Sequence, residues 1–383
     1  MKRYIKSAVG SVIDEPTDIQ LALASDPDTS PLFLDQLADA DSMEVLARVS
    51  KNPSTAPSTL NKLADVAVRT NDYRIGIPLA ENPNTPEEGL IKLIDYDSRA
   101  RAVMEPIIEH PNTTPRVLMA LLKKDDNYVG YFDEITRHYK LSPEFLQELV
   151  DIPSGKHRRD VANYEYTPVP LLLELTQDSD RWVSADAMRN PRLTETDVRN
   201  IYSETSAPHI IKNPNCPSDI LEQVAKQYLD KNNRWGLQTI AAHPNTPDNV
   251  LYEIYESGES NSWQSCYSDL ARNPNIPRDL ALQLSVCDNY HARERLAANP
   301  NVDPDILGSM VKDKIEIRKA LAKNPSTPPK ALLKLAKDRS KSILWEVAEN
   351  PSLPEEAFDL LLDRVPDWIL DNNPTYADRF KKD

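Results

Sequence analysis

The sequence predicts an all-α protein, an α-solenoid of about 14 two-helix repeats. Three observations predict this fold class. An Asn-Pro turn returns along the chain at a nearly constant interval. Apolar residues recur at fixed distances from each turn, with the spacing of one helix face. Thr, Pro and Glu follow the turn in the order that is typical of a helix start.

The repeated turn sets the period of the chain. We call its first residue the anchor; it is Asn in most copies and Asp or His in others. Fourteen anchors divide residues 26–373 into intervals of 23 to 30 residues, with a mean of about 27. A period of this size is typical of solenoid arrays. The predicted anchors are Asp26, Asn52, Asn82, His110, His138, Asn163, Asn190, Asn213, His243, Asn273, Asn299, Asn324, Asn350 and Asn373.

Apolar residues at constant offsets predict the core. Three residues before Asn82 stands Leu79, followed by Ala80, and other repeats place Leu, Ile or Val and often Ala at the same positions. Leu90 and Leu93 follow the anchor by eight and eleven residues, which is the i to i+3 spacing of a helix face. These positions predict one buried stripe on a helix before the turn and another on a helix after it.

The residues of the turn predict where each helix ends and the next begins. A residue before Pro is pushed out of the α region, so the first helix must end near Asn82. Thr85 then fits an N-cap, Pro86 the first helical position and Glu88 the acid of a capping box. One such unit cannot bury its apolar stripes alone, so the units must stack.

The run Leu321-Ala322-x-Asn324-Pro325-Ser326-Thr327-Pro328-x-x-x-Leu332-x-x-Leu335-Ala336-x-Asp338 resembles the bacterial leucine-rich repeat variant family. The resemblance covers about residues 20–375 and is weaker at 127–170. It implies a right-handed superhelix of alternating α and 3-10 helices with no β-sheet. The usual period of 25 to 30 residues leaves room for first helices that are α, closer to HEAT or armadillo geometry. The iron–sulfur cysteine cluster of the family's founding member has no counterpart, since no Cys precedes Cys216.

Composition limits the organisation and the class of partner. We expect an N-terminal cap at 1–20 and one continuous solenoid at 21–383, with an irregular break at about 127–170. The net charge of −15 disfavours general binding to nucleic acid or anionic membranes. Three scattered Cys, no signal peptide and no long apolar segment predict a cytoplasmic protein. The oligomeric state is left open.

Motif searches predict no catalytic residue, no metal site and no cofactor. The sequence has no HExxH, GxSxG, GxGxxG or Walker A motif. The repeated Asn is interpreted as structural, each side chain bonding the turn backbone of its own or the next unit. His110, His138 and His243 stand at anchors, where an imidazole can replace the amide as a hydrogen-bond partner.

Two groups of residues are the candidate partner-binding site. Places where a repeat breaks its own rule favour function, and the break holds a basic cluster in an acidic chain. The Trp residues of the first helices either pack in the core or form a discontinuous aromatic strip that binds a partner. The basic cluster is likewise either a binding site or a solvated link. The candidates are Lys156, His157, Arg158, Arg159, Tyr164, Trp182, Trp235 and Trp263.

Three functions remain open from the sequence. The first is a non-enzymatic scaffold that binds a protein or peptide along one face. The second is a HEAT-like nucleic-acid binder, for which basic residues of the first helices would have to line one groove. The third is an enzyme with a site in the 127–170 break. The basic residues needed for the second are Arg74, Arg101, Arg137, Arg158, Arg181, Arg234, Arg293 and Arg318.

Overall fold

A computed structural model describes residues 11–95, 101–124, 130–260, 265–370 and 373. Within these ranges the protein is helical and has no β-strand, as the repeat pattern predicts. The chain divides into two compact units, Met1–Leu171 and Leu172–Asp383. In both units the anchors follow one helix, the first helix of a repeat, and those before Asn373 precede another, the second helix.

The first unit pairs its helices in chain order. The 3-10 helix η1 (Val12–Asp14) packs against α2, and the first helices α1, α3, α5, α7 and α9 pack each on the next. The α-helices are α1 Thr17–Ser25, α2 Pro31–Leu37, α3 Met43–Lys51, α4 Pro57–Thr70, α5 Tyr73–Glu81, α6 Glu87–Ile94, α7 Arg101–Glu109, α8 Pro115–Lys124, α9 Tyr131–His138, α10 Pro143–Val150 and α11 Gly155–Asn163. The division falls within α12 (Val169–Leu175).

The second unit continues the same alternation. Its first helices are α13, the 3-10 helix η2 (Pro208–Lys212), α16, α18, α20, α22, α24 and α26, and each packs against the following one. The α-helices are α13 Arg181–Arg189, α14 Glu195–Thr205, α15 Ser218–Asp230, α16 Arg234–Ala241, α17 Asp248–Ser260, α18 Ser265–Ala271, α19 Arg278–Val286, α20 Tyr290–Ala298, α21 Pro304–Ser309, α22 Ile315–Lys323, α23 Pro329–Leu335, α24 Lys341–Glu349, α25 Glu355–Leu361 and α26 Asp367–Leu370.

The described first helices are α-helices with one exception. The two shortest intervals, of 23 residues, end at Asn213 and Asn373. The first of these carries the 3-10 helix η2, and the second carries the α-helix α26. The predicted core is confirmed, because Leu79, Leu90 and Leu93 are fully buried and most of their counterparts in the other described repeats are buried.

The anchors form a ladder of buried hydrogen bonds, as predicted. Asn82 Nδ2 donates to the carbonyl oxygens of Ser50 at 2.8 Å and Asn52 at 3.1 Å, both in the preceding repeat. Its Oδ1 accepts from the backbone N–H of Asn84 at 3.1 Å. The same side chain therefore closes its own turn and satisfies two carbonyls at the end of the neighbouring first helix. Asn324 repeats the three bonds.

Histidine replaces asparagine in this ladder with a defined tautomer. His110 Nε2 lies 2.8 Å from the carbonyl oxygen of Asn82, and Nδ1 accepts from the N–H of Asn112 at 3.1 Å. The ring must therefore be neutral and protonated on Nε2. His243 makes the equivalent contacts with Asn213 and the N–H of Asn245. The prediction that an imidazole serves at these two anchors is confirmed.

Two predicted anchors are wrong by one residue. The C-cap residues of α9 and α11 are Tyr139 and Tyr164, so His138 and Asn163 are the last residues of these helices. The Tyr139 hydroxyl donates to the carbonyl oxygen of Ile108 at 2.7 Å, the bond that Asn Nδ2 makes elsewhere. A phenol supplies the donor that the turn requires, which sequence alignment on Asn and His did not anticipate.

The predicted helix start is also wrong. The second helix α6 begins at Glu87 with Pro86 as its N-cap and no side-chain cap, so Thr85 and Glu88 form no capping box. The Thr85 hydroxyl instead donates to the carbonyl oxygen of Leu79 at 2.6 Å. Thr327 does the same with Leu321. The buried carbonyls that end the first helix need a donor, and this need decides where the hydroxyl points.

Candidate partner-binding surface

The basic cluster at 156–159 lies on helix α11 rather than in a link. Lys156 is half-buried, with Nζ 3.6 Å from Asp160 Oδ2. His157 is only 3 % exposed, and Arg158 is half-buried while Arg159 is exposed. A helix turns successive side chains by about 100°, so the cluster is spread around the helix instead of forming one basic face.

His157 lies near the half-buried carboxylate of Asp160. Its Nδ1 lies 3.9 Å from Asp160 Oδ2, and neither atom has a hydrogen-bond partner among the described residues. Burial prevents this imidazole from contacting a partner in the folded protein. His157 therefore has an interior position, unlike the surface position that its sequence neighbours favoured.

Tyr164 is also interior, because it occupies an anchor position. Its hydroxyl accepts from the N–H of Leu141 at 3.3 Å. Its ring meets those of Phe132 and Tyr166 edge-on, at centroid distances of 5.7 and 5.5 Å. The Nζ of Lys140 lies 4.8 Å from the Tyr166 ring centroid. Three aromatic residues of the predicted break, Phe132, Tyr164 and Tyr166, thus pack on one another.

The tryptophans are different. Trp182 is 51 % exposed and Trp235 is 82 % exposed, although both residues lie on well-packed helices. Trp345 and Trp368, on α24 and α26, are exposed as well. These four belong to the surface and not to the core. Trp263 lies outside the described residues.

The repeats themselves show how unusual these two indoles are. Trp182 stands eight residues before Asn190, and Trp235 stands eight before His243. The same position is polar or charged in most other repeats, with Ala102 and Val365 among the exceptions. It holds Glu44, Arg74, His291, Glu316 and Ser342 in repeats anchored at Asn52, Asn82, Asn299, Asn324 and Asn350. Stacking therefore does not require an indole there, and an exposed Trp points to contact with another molecule.

Trp235 forms one wall of a groove of about 550 Å³ between neighbouring first helices. We call it the Trp235 groove. Residues from η2, α16 and α18 and from the turns that follow η2 and α16 line it. They are Ile211, Lys212, Pro214, Trp235, Gln238, Thr239, Ala242, His243, Pro244, Asp269 and Arg272. The groove combines apolar and charged lining residues, which suits one side chain of an extended ligand.

Positive charge gathers beside the groove. Loss of hydration lowers the pKa of His209, and the nearby charges of Arg189, Lys212 and Arg181 lower it further. The guanidinium carbon of Arg181 lies 4.9 Å from the Trp182 ring centroid. Cations held this way remain available to anionic groups.

A second groove, between α20 and α22, provides an internal comparison. It has about 620 Å³ and uses the same positions relative to its anchors. Glu316 stands where Trp235 stands in the first groove. Ala298 stands where Lys212 stands in the first groove, and Lys323, at the place of Ala242, lies 3.2 Å from Glu346. The groove geometry is therefore a property of the repeat, whereas the indole and the available cation are local.

The arginines that a nucleic-acid groove would need are mostly committed to ion pairs. Arg293 Nε and Arg318 Nε lie 2.7 and 2.8 Å from carboxylates of Asp313 and Asp338. Arg74 is paired with Asp72, Arg101 with Glu105, and Arg137 with Glu134. Arg181 and Arg234 remain exposed on the second unit. The pairs of Arg293 and Arg318 reach the following repeat and the other three are local, and all of them reduce the charge presented to phosphate.

Other chemistry has little support within the described ranges. Burial raises the pKa of Cys216 to about 12, so its thiol is protonated at neutral pH. No group of three or more His, Cys, Asp or Glu is arranged to hold a metal in the part of the chain that the structure describes. In that same part, no helix is both long and apolar enough to cross a bilayer.

Comparison with known proteins gives no identification. No family model matches the sequence, and no curated protein matches it significantly. The surface must therefore be interpreted from its own geometry. The sequence analysis named Trp182 and Trp235 but missed Lys212 and the groove. An Arg-Trp dipeptide at one fixed distance from two anchors, at 181–182 and 234–235, is the signal that was available.

Proposed function

We propose that this protein is a non-enzymatic scaffold that binds a protein or peptide through the first-helix face of residues 172–383. The observation that carries the proposal is Trp235, an 82 % exposed indole on the wall of a groove. The corresponding groove without an indole, at Glu316, shows that the fold does not need this side chain.

The energy available from the indole is large enough to matter. Covering a Trp side chain buries roughly 150–200 Å² of mostly apolar surface, worth about 4–5 kcal/mol before ordering costs. Loss of such a residue from an interface typically costs at least about 2 kcal/mol. Trp235 can therefore act as the central contact of a moderately strong complex.

The proposal includes a location and a family. A cytoplasmic site is consistent with Cys216, which is a buried free thiol. The resemblance to the leucine-rich repeat variant family is supported by the paired helices and the repeated turn. No cofactor or metal enters the proposed function.

The two alternatives have weaker support. Nucleic-acid binding has Arg181 and Arg234 in its favour, but Arg293 and Arg318 are held by carboxylates. An enzyme in the 127–170 region has the neighbouring His157 and Asp160 in its favour, but His157 is buried. A substrate would have to reach this imidazole through the packed interior.

A random peptide library displayed on phage tests the proposal. We expect the immobilised full chain to select peptides. Their affinity for the Trp235→Ala variant should be lower by at least about 30-fold. Trp345→Ala is the matched control, because it removes an exposed indole from the distant helix α24. Circular dichroism must show both variants folded. Absence of selected peptides, or selection that ignores Trp235, contradicts the proposal.

A further inference from the structure

The Arg-Trp dipeptide occurs twice in one region of the second unit. Arg181-Trp182 begins α13 and Arg234-Trp235 begins α16, each at nine and eight residues before its anchor. Between the two helices lies η2, which ends at Lys212. We call these five residues the Arg-Trp surface. Two identical pairs either side of one helix form a repeated element that the core does not use.

The cations of this surface lack carboxylate partners. Within the described ranges, Arg181, Lys212 and Arg234 form no ion pair, and each is exposed. Neighbouring Arg189 is different, since its Nη1 lies 3.0 Å from Asp186 Oδ1. Uncompensated positive charge beside two exposed indoles is unexpected in a protein with a net charge of −15. It is the charge complement of an acidic ligand.

The position of the two pairs sets the length of a ligand that reaches both. Helix α13 packs on η2, and η2 packs on α16. Two packing steps of about 8–10 Å each separate the pairs by about 16–20 Å. An extended chain advances about 3.3 Å per residue, so five or six residues cover this distance.

We propose that the Arg-Trp surface binds an extended acidic peptide. Two apolar or aromatic side chains, about five or six residues apart, pack against the indoles of Trp182 and Trp235. Asp or Glu side chains beside them pair with Arg181, Lys212 and Arg234. This inference rests on the proposed scaffold function and names the chemistry of its partner.

The surface favours a peptide over nucleic acid. Asp269 lies on the wall of the Trp235 groove, where burial raises the pKa of its carboxyl. A phosphate backbone would bring a continuous row of negative charge past this acidic group. A peptide can instead place an apolar side chain there and keep its carboxylates at the cations. The chain's negative charge adds to this preference.

The test uses the peptides selected from the random library through Trp235. We expect them to be enriched in Asp and Glu beside paired apolar residues. Resynthesis with Asn and Gln at the acidic positions should weaken binding at least about tenfold, by fluorescence anisotropy. Raising salt from about 50 to about 300 mM should weaken the acidic peptides but not their neutral versions.

Two lysine variants, at the same position relative to their anchors, distinguish a local effect on binding from an effect on the fold. Lys212→Gln should weaken the acidic peptides about fivefold to tenfold and leave their neutral versions unchanged. Lys323→Gln is the control, since Lys323 precedes its anchor by one residue as Lys212 does but faces Glu346. Equal losses in the two variants would contradict a local role of Lys212.

The remaining outcomes distinguish this inference from the scaffold function. If the Trp235-dependent peptides are neutral, and Lys212→Gln does not affect them, the acidic partner is wrong while the scaffold stands. If nothing is selected through Trp235, both proposals fail. If a single-stranded oligonucleotide of equal length binds more tightly through Lys212 than the selected peptides, the partner is nucleic acid and the inference is overturned.

Discussion

The turns and the first-helix faces of the same repeats follow opposite rules. At Asn82 and Asn324, far apart in the chain, the turn makes the same three hydrogen bonds with nearly the same lengths. Eight residues before the anchors, the exposed face holds Arg74 and Glu316 in these repeats and Trp235 in another. The anchor position does not tolerate substitution because it is buried. The position eight residues before it tolerates many residue types because it is exposed.

This difference separates what builds the stack from what it presents. A buried carbonyl without a donor costs about 1–3 kcal/mol, so every repeat must supply one. An exposed side chain carries no such requirement, and substitution there is usually neutral within about 0.5 kcal/mol. Turn residues are therefore expected to govern stability, and face residues to govern binding.

Asn324→Ala is the substitution with the largest expected effect, and it tests whether the turns govern stability. It removes three hydrogen bonds, leaving the buried carbonyls of Ala297 and Asn299 without this donor. We expect a loss of about 3 kcal/mol in the free energy of unfolding, seen as a lower urea midpoint. Ser326→Ala is the control, because its exposed hydroxyl makes one bond, to Pro300. A similar loss in both variants would show that burial does not set the cost.

Tyr139→Phe tests whether a phenol replaces the asparagine donor. The substitution removes only the hydroxyl that donates to the buried carbonyl of Ile108. We expect a loss of about 1–2 kcal/mol, measured by thermal and urea unfolding. Tyr73→Phe, at an exposed position on α5, should change the stability by less than about 0.5 kcal/mol. An unchanged midpoint for Tyr139→Phe would remove this residue from the ladder.

The histidine anchors should make the protein sensitive to acid. Burial lowers the pKa of His110 and His243 below the ordinary value of 6.5. The unfolded chain therefore takes up these protons first, and stability falls as the pH drops below about 6.5 towards the folded pKa values. Above that pH the contribution is fully present, because both rings are neutral in either state.

The measurement compares two proteins across this range. His110→Asn combined with His243→Asn restores the common anchor and removes both titrating groups. Urea unfolding at about pH 7.5 and about pH 5.5 should show a smaller loss for the double variant, by up to about 1 kcal/mol. An equal loss in both proteins would assign the acid sensitivity to other groups.

Trp235→Ala should have the smallest effect on stability. Its indole is mostly exposed, and the equivalent position tolerates Glu316 and Ser342. We expect a change within about 0.5 kcal/mol in urea unfolding, although peptide binding is lost. Loss of more than about 2 kcal/mol would show that the indole supports the stack, which would reverse the comparison.

Much of the architecture was accessible from the sequence because its cause is local and repeated. The Asn-Pro turn, the apolar offsets at Leu79, Leu90 and Leu93 and the structural role of the anchor were predicted and confirmed. The errors at Tyr139, Tyr164 and Thr85 have one origin. Each side chain bonds a backbone group through space, a carbonyl for Tyr139 and Thr85 and the N–H of Leu141 for Tyr164, and residue type alone did not show which group.

The sequence by itself determined the helix pairs, the buried stripes and the period, since each depends on neighbours along the chain. Only the tertiary structure decided which polar and aromatic residues face solvent. Trp235 and His157 looked equally available as sequence, yet packing leaves one 82 % exposed and the other 3 % exposed. The Trp235 groove likewise exists only because η2, α16 and α18 lie side by side, and that proximity is set by stacking rather than by any one repeat.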